Sequence, residues 1–443
     1  MIYLDNSATT QMDEAVVEAM LPWMRDHFGN ASSIYALGRE ARVMIENARE
    51  EFAHLVGAHP SEIIFTSGGT ESNNTALKSA CIDSALADRL IVSAIEHHAV
   101  LHPAEILAQQ GFPLLVLPVT TEGFVEPQCL ENDDFSAFIQ HGQQAIHAGI
   151  PSSSTGSTLT RSAQRTAKGY RRHTNTPRNP TSNTAKLSVL LSVMHANNET
   201  GAIQPVQEIA QKLRMLSPSA LVHTDAVQAF GKIPLNVYTL GVDFATFSAH
   251  KIHGPKGVGA LFIRKGIDFK AHQQGGAQER NRRAGTESPA LIAGFITAAR
   301  YAIRELEARS QTMKARTSLL CSLLQSSIPN IRFNSFIPDV SSSHSSGYST
   351  HWLPNIVNIS FPDAEQLDGE AILQALDMQS VAVSNGSACV SGSQQPSHVL
   401  LAMGRSDSES KAAVRFSVCK DTTDEEIQQA VASLASIIES MRS

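Results

Sequence analysis

From Asp13 to about Leu261, short apolar runs alternate with longer stretches whose apolar positions recur at helical spacing. The runs at 62–67, 89–95, 113–119, 187–194, 220–225 and 244–249 are rich in Val, Ile, Leu and Phe and read as strands. Strands alternating with helices predict a mainly parallel sheet covered by helices, an α/β fold. Several of these runs end in Ser, Asp or His, and the carboxyl ends of parallel strands are where such sheets place ligands. Helical patterns at 288–325 and 424–441 mark a smaller C-terminal lobe. The expected division is a large domain over 13–264 and a small one built from 1–12 and 265–443. No internal repeat is visible.

The pattern fails between His141 and Leu187, where Ser, Thr, Asn, Pro and Gly dominate and seven Lys or Arg residues face no Asp or Glu. Too little of this segment is apolar to offset the entropy of ordering it, so it reads as a flexible insertion within the large domain. A solvated insertion and a basic docking arm for an acidic protein or RNA both fit it. A second Ser-rich stretch, 340–350, reads as a loop.

Composition narrows the class. The 443 residues are 42% hydrophobic and 17% charged, enough to build a sizeable core, and the net charge of −7 argues against nucleic acid as the main partner. The cysteines at 81, 129, 321, 389 and 419 form no C-x-x-C pair, so a zinc site is not expected, and an odd number of thiols suits a reducing compartment. No run approaches the roughly 18 apolar residues of a membrane span, and the first residues carry no basic and apolar leader. A cytoplasmic protein with no membrane partner is expected.

Six positions carry candidate chemistry. Lys251, in SAHKIHGPKGVG, follows a strand and precedes a Gly-rich turn; an amine removed from water there forms a Schiff base with an aldehyde. In FTSGGTESNN, Gly68, Gly69 and Thr70 open a helical run, and free N–H groups at a helix start cradle phosphate. Asp225 closes the run ALVHTD, where a carboxylate would keep a pyridine nitrogen protonated. His97 follows a strand and could stack on an aromatic ring. Cys389 lies in the Gly/Ser loop VSNGSACVSG, whose mobile backbone suits a nucleophile that carries its product away. Arg415, alternating with apolar residues, could grip a carboxylate. Each has a plainer explanation when taken singly: a surface lysine, a capped turn, a helix-capping Asp, a buried His, a core Cys, a structural ion pair. Together they supply every group that one cofactor requires.

The ordered blocks YLDNSATT, GNASSIYALGR, IIFTSGGTESNN, EHHAV, MHANNETGAIQPV, HTDAVQAFGK, SAHKIHGPKGVGALF, RRAGTES, NGSACVSG and PSHVLLAMG resemble the cysteine desulfurases of the NifS and IscS type. These are pyridoxal-phosphate enzymes with the aspartate-aminotransferase-like fold of the class V aminotransferases. The resemblance implies that Lys251 bears the cofactor and that Asp225 and Gln228 meet its ring nitrogen and hydroxyl. It implies Gly69, Thr70, Ser248 and His250 as phosphate ligands, and Thr286 as a residue reaching the neighbouring subunit's phosphate in a homodimer. His97 matches the stacking histidine, Asn198 and Arg415 the substrate-carboxylate side, and Cys389 the cysteine that accepts sulfur from L-cysteine before handing it to an acceptor protein. The chain departs from the family's R-x-S-x-G pattern at Cys419, and His253 stands where Tyr is frequent. Selenocysteine lyase is the nearest alternative activity, and a scaffold that keeps the fold without catalysis is another.

Overall fold

The computed structural model describes residues 1–141, 188–335, 351–386 and 395–443. Most of the basic insertion, the Ser-rich stretch at 340–350 and Cys389 lie outside the described residues. After a two-residue strand β1 (Ile2–Tyr3), the alternating runs become β2 (Ile63–Thr66), β3 (Arg89–Ser93), β4 (Leu114–Leu117), β5 (Val189–Ser192), β6 (Leu221–Asp225), β7 (Phe244–Ser248) and β8 (Gly259–Ile263). Strands β2 to β8 form one sheet in the order β2-β8-β7-β6-β5-β3-β4. Strand β8 runs antiparallel to β2 and β7, and the remaining neighbours are parallel. Strand β8 is the one the hydrophobic pattern did not single out, because its five residues follow directly on a Gly-rich turn.

Both faces of this sheet are buried, which is why its strands read as continuous apolar runs and not as alternating ones. Ile63, Phe65, Ile91, Leu191 and Phe247 point to one face. It is covered by α1 (Glu14–Arg25), α2 (Ala36–Val56) and later helices. Ile64, Leu90, Val92, Leu190 and Leu261 point to the other. There α3 (Gly69–Lys78) and α4 (His98–Gln109) pack. Helices α5 (Asp133–His141), α6 (Val206–Leu216) and α7 (Pro289–Arg304) complete the first face.

The small lobe has its own core. It holds α8 (Leu306–Ser327), an antiparallel sheet that includes β9 (Arg332–Phe333) and β10 (Ile356–Ser360), α9 (Gly369–Met378), β11 (Val381–Ala382), β12 (Val414–Ser417) and α10 (Asp424–Arg442). The start of α10 is set by Thr423 and Glu426, whose side chains satisfy each other's free backbone N–H. Strand β1 pairs in parallel with β11, and Ile2 and Leu4 enter this core, so the first residues of the chain are sewn into its last third. The helical pattern at 288–325 is split at Glu305 into α7, which packs on α1 and α2, and α8, which belongs to the small core. We therefore propose that the division between lobes falls at this break and not near 265. Among the described residues, no helix is long and apolar enough to cross a membrane.

One buried ion pair ties the segment ahead of α7 to the large sheet. Arg49 on α2 meets Glu279 at 2.6 and 3.0 Å, and both side chains are essentially sealed from water. Arg49 also donates to the Ile63 carbonyl, and the Phe65 N–H donates to Glu279, so the pair is satisfied by β2 on both sides. Replacing one partner strands the other charge in the interior. Arg49→Met is expected to lower unfolding stability by about 3–5 kcal/mol. Chemical denaturation of the variant and parent would measure this, and an unchanged midpoint would show that the pair contributes nothing net.

Candidate active site

Polar residues at the carboxyl ends of the parallel strands, together with the first residues of the chain and the end of β12, enclose a cavity of about 520 Å³. Lys251, Asp225, Gln228, His97, Asn198, Ser248, His250, Gly69, Thr70 and Arg415 all line it. Residues more than three hundred positions apart in sequence thus meet in one place. A wider groove of about 700 Å³ is lined by α1, α2 and α7, but it contains none of the candidate cofactor or substrate residues.

Lys251 ends a short 3-10 turn that continues from β7. Its Nζ donates to the carbonyls of Ser7 and Ala8 at 2.5 and 2.6 Å. Burial, reinforced by the nearby Arg415 cation, pushes the amine down to about 8. Loss of hydration disfavours the charged form, so a substantial share of the lysine is a free nucleophile just above neutrality.

Asp225 is the last residue of β6 and is nearly sealed off. One of its oxygens accepts from Asn73 Nδ2 at 2.6 Å and the other from the Val227 N–H at 3.0 Å. Sequence reasoning missed Asn73, although it sits in the FTSGGTESNN block. His97 caps α4, and its Nδ1 accepts from the Ala99 N–H at 3.0 Å, which leaves the neutral ring's proton on Nε2. Burial holds this imidazole below its ordinary value. Beneath it, Glu96 accepts from Ser93 Oγ and the Met194 N–H, and burial pushes its carboxyl up to about 8. Glu96 was not anticipated either; its signal was a charge inside an otherwise apolar strand end.

The anion cradle forms where β2 meets α3. Gly68 precedes the helix at φ 145°, ψ −173°, a conformation that only glycine adopts without strain. A Cβ on Gly69 would come within 2.9 Å of Val227. The helix start, Ser248 and His250 border a hollow of about 320 Å³ contiguous with the Lys251 turn. Burial, then the Lys251 and Lys256 cations, lower His250 to about 4, so it enters this hollow as a neutral donor or acceptor.

Arg415 on β12 is held tightly. It donates to Asp5 at 2.6 Å and to the Asn198 carbonyl at 2.9 Å, while its Nε is buried without a partner. The structural ion pair is thus present, with Asp5 as the partner of the guanidinium. Asn198 lies beside Glu199, a fully buried acid that burial raises to about 7 and that accepts from Ser397 Oγ at 2.5 Å. A Cβ on Gly386, at φ 93°, would meet Glu199 at 2.9 Å. Glu199 thereby touches the chain on both sides of the segment 387–394, within which Cys389 falls outside the described residues. Thr286 does not line the main cavity. It borders a separate hollow of about 100 Å³ with Ser67, Gly257 and Arg283. Cys419, the departure from the family pattern, is half-buried, and its N–H donates to Thr422 Oγ1.

Comparison with known proteins places this geometry. The model of the family "Aminotransferase class-V" matches residues 2–164 and 165–430. The chain is 39% identical over 442 residues to the cysteine desulfurase IscS of Dictyoglomus turgidum, covering 100% of this chain and 95% of that protein. It is 34% identical over 443 residues to the cysteine desulfurase NifS of Azotobacter vinelandii, with 100% and 93% covered. Among solved structures, a NifS-like protein superposes with a TM-score of 0.78 at 31% identity over 99% of both chains. DndA from Streptomyces lividans does so with 0.66 at 34% identity, over 94% of this chain and 99% of its own.

The depressed amine has a direct test. In cofactor-free protein, acylation of Lys251 should rise through a midpoint near pH 8, because the neutral amine is the reactive form and its folded value lies below that of a free lysine. Arg415→Met removes a neighbouring cation and should move this midpoint upward. Competitive labelling across pH with peptide mass spectrometry reads both, and a parental midpoint near that of a free lysine would mean the amine is hydrated.

Proposed function

Because the chain belongs to the aminotransferase class-V family, and within it to the cysteine desulfurases, we propose that it takes sulfur from L-cysteine with pyridoxal phosphate held on Lys251 and passes it to Cys389. The observation that carries this reading is geometric: the Lys251 amine shares one cavity with the buried Asp225 and with Gly69 and Thr70 at the start of a helix. The donor set fits the cofactor. Ser7 Oγ, Asn73 Oδ1 and Arg415 Nε are buried and unpartnered. Gly69 must lack a side chain, since a Cβ there would press on Val227 at 2.9 Å.

In this reading Gly69, Thr70, Ser248 and His250 hold the phosphate, Asp225 the ring nitrogen, Gln228 the ring oxygen, and His97 one face of the ring. When bound, pyridoxal phosphate supplies an aldehyde that captures an amine and a protonated ring that accepts an electron pair from Cα. Asp225, fixed by Asn73 and the Val227 N–H, would be the partner of the ring nitrogen. The Lys251 amine takes the substrate's Cα proton. Arg415 and Asn198 orient the substrate carboxylate, with Asp5 yielding or sharing the guanidinium. Cys389, as thiolate, attacks the substrate sulfur: an S–S bond forms, the C–S bond breaks, and its electron pair stays on the carbon that becomes the methyl group of alanine after protonation. The sulfur then moves from Cys389 to an acceptor protein that builds iron–sulfur clusters or thio-cofactors.

A homodimer is part of the proposal. Thr286 lies outside its own chain's cavity, which suits a residue that completes the phosphate site of a neighbour. Met24, Phe28, Ile34, Tyr35 and Val43 on and between α1 and α2 are exposed apolar side chains of the kind a second copy covers. The four described cysteines are all free thiols, in keeping with a reducing cytoplasm.

Purified protein should show a visible cofactor band that changes when L-cysteine is added, and borohydride should leave a pyridoxyl tag on Lys251. Lys251→Ala should lose the band. Cys389→Ala should keep the band but slow sulfide release by at least about a hundredfold. Sulfur release at the parental rate from Cys389→Ala, or rapid release from selenocysteine with none from cysteine, would overturn the assignment. Light scattering should return twice the chain mass.

A further inference from the structure

One buried ionisable group next to the site takes no part in the scheme above. Lys232 is 6% exposed and does not line the main cavity; it sits behind it, at a hollow of about 20 Å³, room for about one water. Its Nζ donates to Gln228 Oε1 at 2.8 Å. The other end of that amide, Gln228 Nε2, donates to the Ser7 carbonyl at 3.0 Å, the same oxygen that takes a hydrogen bond from Lys251.

We propose that Lys232 is a positioning residue that fixes the orientation of the Gln228 amide and thereby makes that residue a donor, not an acceptor, toward the cavity. A glutamine amide has two nearly isosteric ends, and its environment decides which faces where. An ammonium group only donates and a backbone carbonyl only accepts. With Oε1 toward Lys232 and Nε2 toward Ser7, both contacts are favourable. With the amide reversed, N–H would face ammonium and C=O would face C=O. The arrangement leaves the second Nε2 hydrogen for an acceptor in the cavity that Gln228 lines. Burial, then the Lys251 and Arg415 cations, lower Lys232 to about 7; the ammonium form is donor-only, and in the neutral form the amine still has hydrogens for Oε1 while the acceptor-only Ser7 carbonyl holds Nε2. The other charged or titratable groups around the small hollow are Arg309, His253, Lys420 and Cys419.

The inference rests on the pyridoxal-phosphate reading, in which Gln228 meets the ring oxygen. A donor there favours the form of the bound cofactor with negative charge on that oxygen, the high-pH form, so losing the donor raises the pH at which the visible band changes. The test is the pH midpoint of that band in the purified holoprotein. Lys232→Met, which removes the donor, should raise the midpoint by about one unit, about tenfold in proton affinity. Lys232→Gln, which keeps a donor without the charge, should stay close to the parent. In a Gln228→Leu background, Lys232→Met should add no further shift. Thermal unfolding and circular dichroism check that each variant folds. If Lys232→Met does not fold, Lys232→Gln matching the parent while Gln228→Leu shifts upward supports the proposal, and Lys232→Gln shifting as far as Gln228→Leu overturns it. An unchanged midpoint in Lys232→Met, equal shifts in Met and Gln variants, or a Met shift that persists without Gln228 would each overturn it as well. A parental protein with no visible band would instead overturn the cofactor reading, and this inference with it.

Discussion

In the proposed reading the chemistry depends on one lysine amine whose charged form is disfavoured by burial. A hydrated lysine is almost wholly protonated at neutral pH and cannot attack a carbonyl or take a proton from carbon. The pKa of Lys251 is lowered because burial disfavours its charged form, even though its Nζ hydrogens have acceptors in the carbonyls of Ser7 and Ala8. The Arg415 cation lowers it further and is itself paired with Asp5. In that reading, desolvation, substrate recognition and reactivity fall to the same few side chains.

The fold positions these groups through economical use of strand ends. Asp225, Ser248 and the 3-10 turn bearing Lys251 follow from the carboxyl ends of two adjacent strands, β6 and β7. The anion cradle comes from β2, separated from β7 by the antiparallel β8. Gly259 on β8 has a reason to lack a side chain, since a Cβ there would press on the Phe247 carbonyl and on Gly68. The glycine that looks like part of a generic loop therefore lets the sheet close up beneath the cradle.

Much of this was legible in the residues. The strands that bear Asp225 and Lys251 announce themselves as apolar runs, because burial on both faces leaves no polar alternation to dilute the signal. The cluster at the site was legible only as a set, since no single residue outweighed its plainer explanation. What stayed hidden were the partners set by long-range contact. Asp5 pairs with Arg415 across 410 positions, and Glu199 braces Gly386 and Ser397 from a distant turn. Local pattern carries no information about such pairs. The break at Glu305 was hidden for a different reason: no Gly or Pro marks it, while the core being faced changes from one lobe to the other.

The opening residues of the chain have a consequence of their own. Leu4 is buried in the small core, Asp5 binds Arg415, and the Ser7 carbonyl takes Lys251 and Gln228. Asn6 and Ser7 are further stitched to Ser417. This short stretch links the small core directly to the carbonyl that receives the amine. Damage there, by cleavage or by a bulky graft, would masquerade as a chemical lesion while every reacting residue remained intact.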